Sequence, residues 1–352
     1  MKKKLTFVLI IAVLLSLASV SCGTGSGSGN AGAVNVYNWG EYIDESIFAD
    51  FEKETGVKVN YSTFASNEDM YSKLKLGGSS YDVIIPSDYM VARLLDEGML
   101  EKLDFANIPN ISLIDEEYKN TAYDPTGEYS VAYMTGTVGL IYNSEMITDV
   151  LDSWGALFDP QFTGQILMFD NPRDAFGIAL TYLGHDVNTT DPDEINEAFE
   201  LLKQQRPLLQ AYVMDQIFDK LESGEAALGP YYAGDFLIMR DNNPDLEYAL
   251  PKEGSNWFVD AMCVPKDAAN KKNAELFINF MCRTDVALQN MDVTGYVSAN
   301  AEAAAQYADT LDPDDYAIMF PDEETRARLF IYTNLPVDIL QLYDRLWVQL
   351  KS

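Results

Sequence analysis

Histidine and cysteine are scarce in this chain, and their scarcity excludes several kinds of chemistry. The 352 residues include one histidine, His185, and three cysteines. A Ser-His-Asp site would have to use His185, which lies in a loop-like segment, and no G-x-S-x-G motif is present to supply the serine. One histidine and separated cysteines cannot build the usual zinc site. Because phosphate-binding and dinucleotide-binding fingerprints are also absent, we expect neither a metal nor a cofactor.

Basic residues are the second shortage. Only 24 Lys and Arg residues accompany 55 Asp and Glu residues, and the formal net charge is -31. Nucleic-acid binding requires basic patches on the protein surface, so we exclude a nucleic-acid partner. A strongly acidic surface keeps a protein soluble and attracts cations in general. The charge alone is equally compatible with a surface that has no specific partner.

The N-terminal residues have the features of an export signal. Lysines follow the initial methionine, the run from Leu5 to Leu17 is almost wholly apolar, and small residues continue to Cys22. This run is too short and wrongly flanked for a bilayer-spanning helix. The sequence around Cys22 resembles a bacterial lipoprotein signal, although Ser19 occupies the position where that pattern usually has leucine.

We therefore predict a signal peptide at 1–21, then a lipidated Cys22 and a flexible, glycine- and serine-rich linker over 22–33. The alternative is ordinary cleavage near this point, with Cys22 lost or free. The other two cysteines are Cys263, in a strand-like segment, and Cys282, in a helix-like segment. Both fit the pattern of buried small hydrophobic residues better than that of a disulfide. One disulfide bridge in an oxidising compartment is the alternative.

Strand-like and helix-like segments alternate along the first hundred residues after the linker. The apolar pattern predicts strands at AVNVYNW, VKVNYSTF and YDVIIPS. The segments between and after them have helical periodicity and end in glycine, and Ser66 is predicted to cap one of them. This order is typical of a parallel sheet covered by helices on both faces. A second unit begins near Gly136, and the C-terminal third is predicted to be helical.

Aromatic and acidic side chains recur just past the predicted strand ends. In open α/β sheets, ligands bind beyond the carboxyl ends of the strands. The candidate ligand-binding residues at these positions are Trp39, Glu41, Tyr42, Ser87, Asp88, Tyr89, Asn171, Asp174, Tyr232, Asp235, Phe258 and Asp260. An alkyl chain with ammonium ends matches this mixture. Its methylenes pack on flat rings, and its nitrogens bind carboxylates or ring faces, each cation–π contact contributing about 0.5–2 kcal/mol.

Each candidate also has a purely structural interpretation. Trp39 and Phe258 fit core positions, and Asp88 and Asp235 fit the first turns of helices. We expect Asp44 to begin the helix that follows it and to have no part in binding. The recurrence of acids and rings at several strand ends, rather than any single residue, favours a site for a cationic amine over a sugar or an anion.

Several segments resemble a known family, the substrate-binding proteins of bacterial polyamine (spermidine/putrescine) ABC importers. The similar segments, collinear from Val34 to Asn300, are VYNWGEYI, FEKETGVKV, YSTFASNEDMYSKLK, YDVIIPSDYMV, NTTDPDEINEA, LPKEGSNWFVDAMCVP and VTGYVSAN. The resemblance implies an α/β, two-lobe periplasmic-binding-protein fold of type II-like architecture, in which each lobe is a mainly parallel sheet flanked by helices. It also implies a ligand held between two lobes, formed by residues 34–136 plus 260–305 and by residues 137–259 plus 306–352.

The same resemblance implies roles for individual residues. Trp39 and Tyr42 would wall the cleft, and Tyr232 would take the place of a stacking tryptophan. The implied amine partners, in decreasing order, are Asp260, then Asp235 and Glu41, with Asp174 at the far end. Asn171 falls where some family members have aspartate, and Asp235 matches an acid of putrescine-preferring members, so the resemblance favours a dication over a trication.

The expected function is capture of putrescine and/or spermidine by an extracytoplasmic lipoprotein that delivers its ligand to an ABC permease. We expect a monomer in the periplasmic space or on the outer face of the cell membrane, attached only by its lipid anchor and without enzymatic activity. Three alternatives stay open. They are the same fold binding another cationic amine or small solute, an extracellular hydrolase with paired carboxylates, and a surface lipoprotein with no ligand.

Overall fold

The computed structural model describes residues 32–77 and 80–352 as a mixed α/β protein. The predicted signal peptide and Cys22 lie outside the described residues. Eleven strands in the described ranges join through hydrogen bonds into one sheet. Over these same ranges, none of the helices combines the length and the apolar character needed to cross a membrane.

The first part of the chain forms the predicted strand–helix alternation. Its elements are β1 (Ala33–Trp39), α1 (Ile47–Thr55), β2 (Lys58–Phe64), α2 (Asn67–Leu76), β3 (Val83–Ile84) and α3 (Asp88–Asp96). Strand β1 pairs in parallel with both β2 and β3, which confirms the predicted parallel sheet. The hydroxyl of Ser66 accepts a hydrogen bond from the Asp69 amide at 3.1 Å and so caps α2 as predicted. Gly56 ends α1 with a φ of 73°, a left-handed conformation that glycine adopts without strain.

Two long strands connect the first unit to the second. They are β4 (Ser130–Asn143), which follows three short 3₁₀ turns, and β9 (Ser255–Cys263). The first half of β4 pairs antiparallel with β9, and its second half pairs antiparallel with strands of the second unit. The predicted start of the second unit at Gly136 therefore falls in the middle of β4. The strand starts earlier because Val131 and the residues after it are already buried in the sheet.

The second unit repeats the architecture of the first. Its elements are β5 (Ile166–Phe169), α4 (Pro172–Leu183), α5 (Pro192–Gln205), β6 (Leu209–Val213), α6 (Gln216–Glu222), β7 (Leu228–Tyr232), α7 (Ala233–Asn242) and β8 (Leu246–Ala249). Strand β5 pairs in parallel with β6 and with β7. Each unit thus has a parallel sheet, and the antiparallel pairs are concentrated where β4 and β9 cross between the units.

The C-terminal third is helical as predicted, apart from two short strands. Its elements are α8 (Lys271–Met281), α9 (Thr284–Thr294), β10 (Val297–Ser298), α10 (Ala301–Ala308), α11 (Pro313–Met319), α12 (Glu323–Arg326), β11 (Leu329–Phe330) and α13 (Val337–Lys351). Strand β11 pairs with the beginning of β9, and β10 pairs with β4. The C-terminal segment therefore returns to the crossover strands, where the two units meet.

Two hydrophobic cores lie on either side of the crossover strands. One core is centred on the first unit and α8, with Phe51 and Phe277 fully buried, and the other is centred on the second unit, with Trp154 and Phe176 fully buried. Helix α9 contributes side chains to both cores, so the lobe boundaries given above stay a prediction. Two free cysteines, Cys263 and Cys282, are buried, as predicted.

Candidate functional site

A cleft of about 730 Å³, its open mouth included, lies between the two cores and is lined by all twelve candidate residues. Topology explains why they meet. Trp39 ends β1 and Tyr232 ends β7, while Ser87 follows β3 and Asn171 follows β5. The carboxyl ends of these strands point into the space between the units. Strand β9 crosses the cleft and brings Phe258 and Asp260 into the same space.

Aromatic rings form the walls of the cleft. Tyr42 meets Tyr296 edge to face, with ring centroids 4.7 Å apart at 85°. Tyr232 meets Phe258 in the same way at 5.4 Å and 80°. These edge-to-face contacts fix the orientation of the rings. Phe258 therefore fits both interpretations given above, because it is buried against the first core and also lines the cleft.

Asp260 is a buried carboxylate whose Oδ1 has no hydrogen-bond partner among the described residues. Burial raises the pKa of the Asp260 carboxyl to about 7, and the nearby hydroxyls of Ser87 and Tyr42 oppose that rise. The Tyr42 hydroxyl also lacks a partner of ordinary hydrogen-bond geometry. Unpaired buried polar atoms of this kind are costly. Asp260 is thus left with an acceptor that a cationic donor in the cleft would satisfy.

Asp174 is held in place by neutral hydrogen-bond donors. Its Oδ2 accepts from the Asn171 side-chain amide at 2.7 Å and from the Tyr232 hydroxyl at 3.2 Å. Asn171 also caps α4, because its Oδ1 accepts from the Asp174 backbone amide at 2.8 Å. Burial raises the pKa of the Asp174 carboxyl, and the donors from Asn171 and Tyr232 oppose that rise. Asn171 therefore orients Asp174, and its amide is already engaged within the protein.

Two further acids of the cleft are Asp235, from the second unit, and Glu41, from the first. Asp235 lies in the first turn of α7, and its Oδ2 accepts a hydrogen bond from the Tyr296 hydroxyl at 2.8 Å. Burial raises the pKa of the Asp235 carboxyl well above its usual value, although the Tyr296 hydroxyl lowers it. Glu41 is exposed and has a left-handed backbone with a φ of 46°. Asp235 is thus a buried acid of the cleft that is held by Tyr296, and Glu41 is an exposed acid of the cleft.

Asp88 and its neighbours connect the cleft wall to the fold. Both Asp88 oxygens are engaged, Oδ1 by the Tyr89 amide at 2.6 Å and Oδ2 by the Val259 amide at 3.3 Å. Its structural interpretation as a first-turn acid of α3 therefore fits these contacts. The Tyr89 hydroxyl donates to Glu68 at 3.0 Å, and the Asn67 amide donates to the Ser87 hydroxyl at 3.1 Å. Ser87 and Tyr89 are thus held by the N-terminus of α2.

Asp44 lies outside the cleft, as predicted. Its carboxylate accepts from the Ser46 amide at 2.9 Å and from the Ser46 hydroxyl at 2.8 Å. Its carbonyl accepts from the Ile47 amide at the start of α1. Val36, by contrast, is fully buried in the first core, so the short segment around β1 divides between core, cleft and helix start.

Comparison with known proteins identifies the family. A family model for bacterial extracellular solute-binding proteins matches residues 46–318.

The chain belongs to this family.

Curated relatives of this solute-binding protein have names that state their ligands. The spermidine/putrescine-binding periplasmic protein of Salmonella typhimurium is 35% identical over 90% of this chain and 90% of its own length. The protein of the same name from Escherichia coli is 36% identical over 82% of this chain and 83% of its own length.

Solved structures confirm the fold predicted for this solute-binding protein. The spermidine/putrescine ABC transporter substrate-binding protein PotD of Streptococcus pneumoniae has a TM-score of 0.74 and 34% identity, covering 91% of this chain and 98% of that chain. A PotD lipoprotein of Treponema pallidum has a TM-score of 0.80 and 29% identity, covering 90% and 99%. The two-lobe α/β fold of periplasmic binding proteins is therefore confirmed, and the family is one of transport proteins rather than enzymes.

Further cleft residues of this solute-binding protein were missed by the sequence analysis. They are Gly40, Asn67, Glu68, Met214, Asp215, Phe218, Tyr231, Asn256, Tyr296 and Tyr332. Asn67 and Glu68 lie shortly after β2, so the rule on strand ends would have found them had it been applied to that strand. Met214 and Asp215 follow β6, a strand that was not predicted. Tyr332 lies in the C-terminal segment, where the family resemblance is weak.

The two walls of the cleft approach each other closely through glycines. A Cβ atom on Gly40 would lie 2.5 Å from Oδ2 of Asp215, and a Cβ atom on Gly234 would lie 2.5 Å from the ring of Tyr296. Tyr296 packs with the first core and Gly40 follows β1 of the first unit, whereas Asp215 and Gly234 belong to the second unit. Side chains at these two glycines would hold the walls apart.

Proposed function

We propose that this protein captures polyamines, putrescine and/or spermidine, in the cleft between its two units and delivers them to an ABC permease. The observation that carries the proposal is the composition of the cleft lining. Of the described residues, seven acids and no lysine or arginine line the cleft, together with aromatic rings on both walls. An alkyl diammonium ion complements such a surface, because it supplies a charged donor at each end and an apolar chain between them.

The electrostatics of the cleft support a cationic ligand. Burial raises the pKa of the Glu68, Asp88 and Asp174 carboxyls, as it does for Asp235 and Asp260. Desolvation disfavours the ionised form of each acid, and neighbouring carboxylates repel each other. A bound dication would offset both effects. The free energy of binding would therefore come partly from relief of these unfavourable charges.

Ligand bound across the cleft would also connect the two units. Asp260 and Glu68 pack with the first unit and β9, whereas Asp174 and Asp235 belong to the second. A ligand that contacts both sides favours the closed arrangement through its higher affinity for it. We further propose a preference for a dication, because Asn171 is uncharged and is already hydrogen-bonded to Asp174. Closure on one ligand per monomer would then be the signal that the permease recognises.

A thermal-shift panel of amines, sugars and amino acids tests the proposed ligand class. Ligand that binds only the folded state stabilises it by about 2.7 kcal/mol at a concentration 100 times Kd. We expect putrescine or spermidine to raise the unfolding temperature, and sugars and amino acids to leave it unchanged. A shift produced only by another amine would support the alternative ligand. No shift with any amine would contradict the proposal.

The close approach of Gly234 to Tyr296 gives a prediction about closure. In the Gly234→Ala variant the new methyl group displaces the Tyr296 ring and breaks the hydrogen bond from its hydroxyl to Asp235. We expect putrescine affinity to fall about tenfold, a loss of ~1.4 kcal/mol. Titration calorimetry measures it, with Tyr296→Phe as a comparison that removes the hydroxyl and keeps the ring. Equal affinity in Gly234→Ala and the wild type would show that the walls do not close through this contact.

Attachment to the membrane is a separate part of the proposal. Cys22 is proposed to be lipidated. Two acyl chains anchor a protein stably in a membrane, whereas a single chain binds only weakly and reversibly. We expect Cys22→Ser to move the protein from the membrane fraction to the soluble fraction of cells, while Ser26→Ala in the same linker leaves it in the membrane fraction. Mass spectrometry of the mature N-terminus checks the modification. Wild-type protein recovered mainly in the soluble fraction would contradict lipidation.

A further inference from the structure

A second cavity lies on the other side of β9 from the cleft. Its volume is about 1230 Å³, its open mouth included. Residues of β9 alternate between the two spaces, since Phe258 and Asp260 line the cleft whereas Trp257 and Val259 line the second cavity. The other walls are α3, the loop before β4 and the segment that follows β11. We call this cavity the rear chamber.

The cleft and the rear chamber share one wall. Asp88, Tyr89 and Tyr332 line both spaces. The rings of Tyr89 and Tyr332 meet edge to face, with centroids 5.9 Å apart at 87°. Separation of these two rings would join the spaces. Tyr89 lies in the first turn of α3, and Tyr332 lies in the irregular segment that follows β11.

Most of the lining of the rear chamber is apolar or aromatic, although the acids Asp88, Asp96 and Glu117 also line it. Trp257 and Tyr118 supply rings, and Leu95 and Val259 supply aliphatic groups. No lysine or arginine is among the described residues that line it. Tyr123 lies in this wall, is only 9% exposed, and has a hydroxyl without a hydrogen-bond partner among the described residues. The chamber is therefore suited to an apolar or aromatic group with a polar atom near Tyr123.

A fixed positive charge lies behind the shared wall. The Arg173 guanidinium is 4.5 Å from the centre of the Tyr332 ring and 5.8 Å from that of Tyr89. It is buried and held by the Asn188 side chain at 2.6 Å and the Val187 carbonyl at 3.2 Å. An ammonium group between the two tyrosines would be repelled by this charge. An uncharged part of a ligand that passes between the two rings avoids this repulsion.

We propose that the rear chamber is a second subsite, which accepts an apolar substituent on one terminal nitrogen of a polyamine. This inference rests on the proposed function, since the polyamine itself would occupy the cleft. The substituted ammonium would stay beside Asp174, on the cleft side of the shared wall. Its alkyl or aryl substituent would pass between Tyr89 and Tyr332 and pack against Trp257. The ligands of this protein would then include N-substituted polyamines as well as the free diamine.

Calorimetry with putrescine and N-benzylputrescine tests the subsite. Ala122 is exposed on the chamber wall, so Ala122→Trp fills the chamber without disturbing a core, and Ala122→Ser is the matched control. We expect the wild type to bind both ligands. Ala122→Trp should weaken N-benzylputrescine at least tenfold and leave putrescine unchanged, while Ala122→Ser changes neither.

Two results would overturn the inference alone. One is a wild type that binds putrescine but not N-benzylputrescine, and the other is Ala122→Trp affecting both ligands equally or neither. A wild type that does not bind putrescine would instead overturn the proposed function, and the second subsite with it. Putrescine affinity also reports that each variant is folded, so the outcomes are distinguishable.

Discussion

Replacement of Asp260 by asparagine is expected to weaken putrescine binding by at least tenfold. Asp260 is buried in the cleft, and its Oδ1 has no partner among the described residues. Removing one member of a buried charge pair usually costs about 2–5 kcal/mol, and asparagine cannot supply the charge. Titration calorimetry measures the affinity. Asp338→Asn is the matched control, because it removes the same charge from an exposed position on α13.

The stability of the Asp260→Asn variant should change in the opposite direction from its putrescine affinity. The pKa of Asp260 is raised to about 7 in the folded protein, whereas an unfolded aspartate titrates near ~3.9. The ionised carboxylate therefore destabilises the free protein above pH 7, and this cost disappears as the pH falls below the unfolded value. At pH 8 the Asp260→Asn variant should unfold at the same temperature as the wild type or higher. An Asp260→Asn variant that binds putrescine as tightly as the wild type would show that the amine does not bind at Asp260.

The affinity for putrescine should fall about 100-fold between pH 8 and pH 5. With a pKa of about 7, Asp260 is protonated in the free protein at pH 5, so a proton must be released before the ammonium binds. Affinity then falls about tenfold for each pH unit below the pKa that Asp260 has in the ligand-free protein. The fall ends where the pH reaches the lower pKa that Asp260 has in the complex. The ligand contributes no titration here, since alkyl ammonium groups such as that of lysine have pKa values near ~10.4.

The groups around Asp260 define the control for this pH dependence. Asp88 also has a pKa of about 7, but its oxygens already accept hydrogen bonds from backbone amides. Asp174 lies close enough to raise the pKa of Asp260, and the Ser87 and Tyr42 hydroxyls lower it. We expect Asp260→Asn to flatten most of the slope of log affinity against pH. An affinity independent of pH in the wild type would contradict a titrating carboxylate at the amine.

Much of the fold was predictable because apolar periodicity reports burial directly. The residues of β1 were predicted with their observed bounds and those of β2 with one extra residue at the start, and parallel pairing followed from the alternation of strands and helices. Parallel strands place their carboxyl ends on one edge, so a single rule brought residues as distant in sequence as Trp39 and Tyr232 to one cleft. Whether each of those residues contacts ligand stays a prediction.

The parts of the fold and site that were not predicted depend on tertiary contacts, which leave no local pattern in the sequence. Strand β6 lies at the edge of the sheet and is only partly buried, so its apolar pattern is weak, and Asp215 was missed with it. Tyr332 reaches the cleft because β11 pairs with β9, a long-range pairing without a local signal. The role of Asn171 as the partner of Asp174 likewise depends on a side-chain hydrogen bond. In each case tertiary packing, rather than local preference, decides the outcome.

Calorimetric titration of the purified, folded protein with putrescine and with spermidine tests the central claim most directly. The account predicts heat on addition of at least one of them, saturation at one ligand per chain, and a loss of affinity in Asp260→Asn under the same conditions. No heat with either ligand, from protein that unfolds cooperatively in the same buffer, would contradict it.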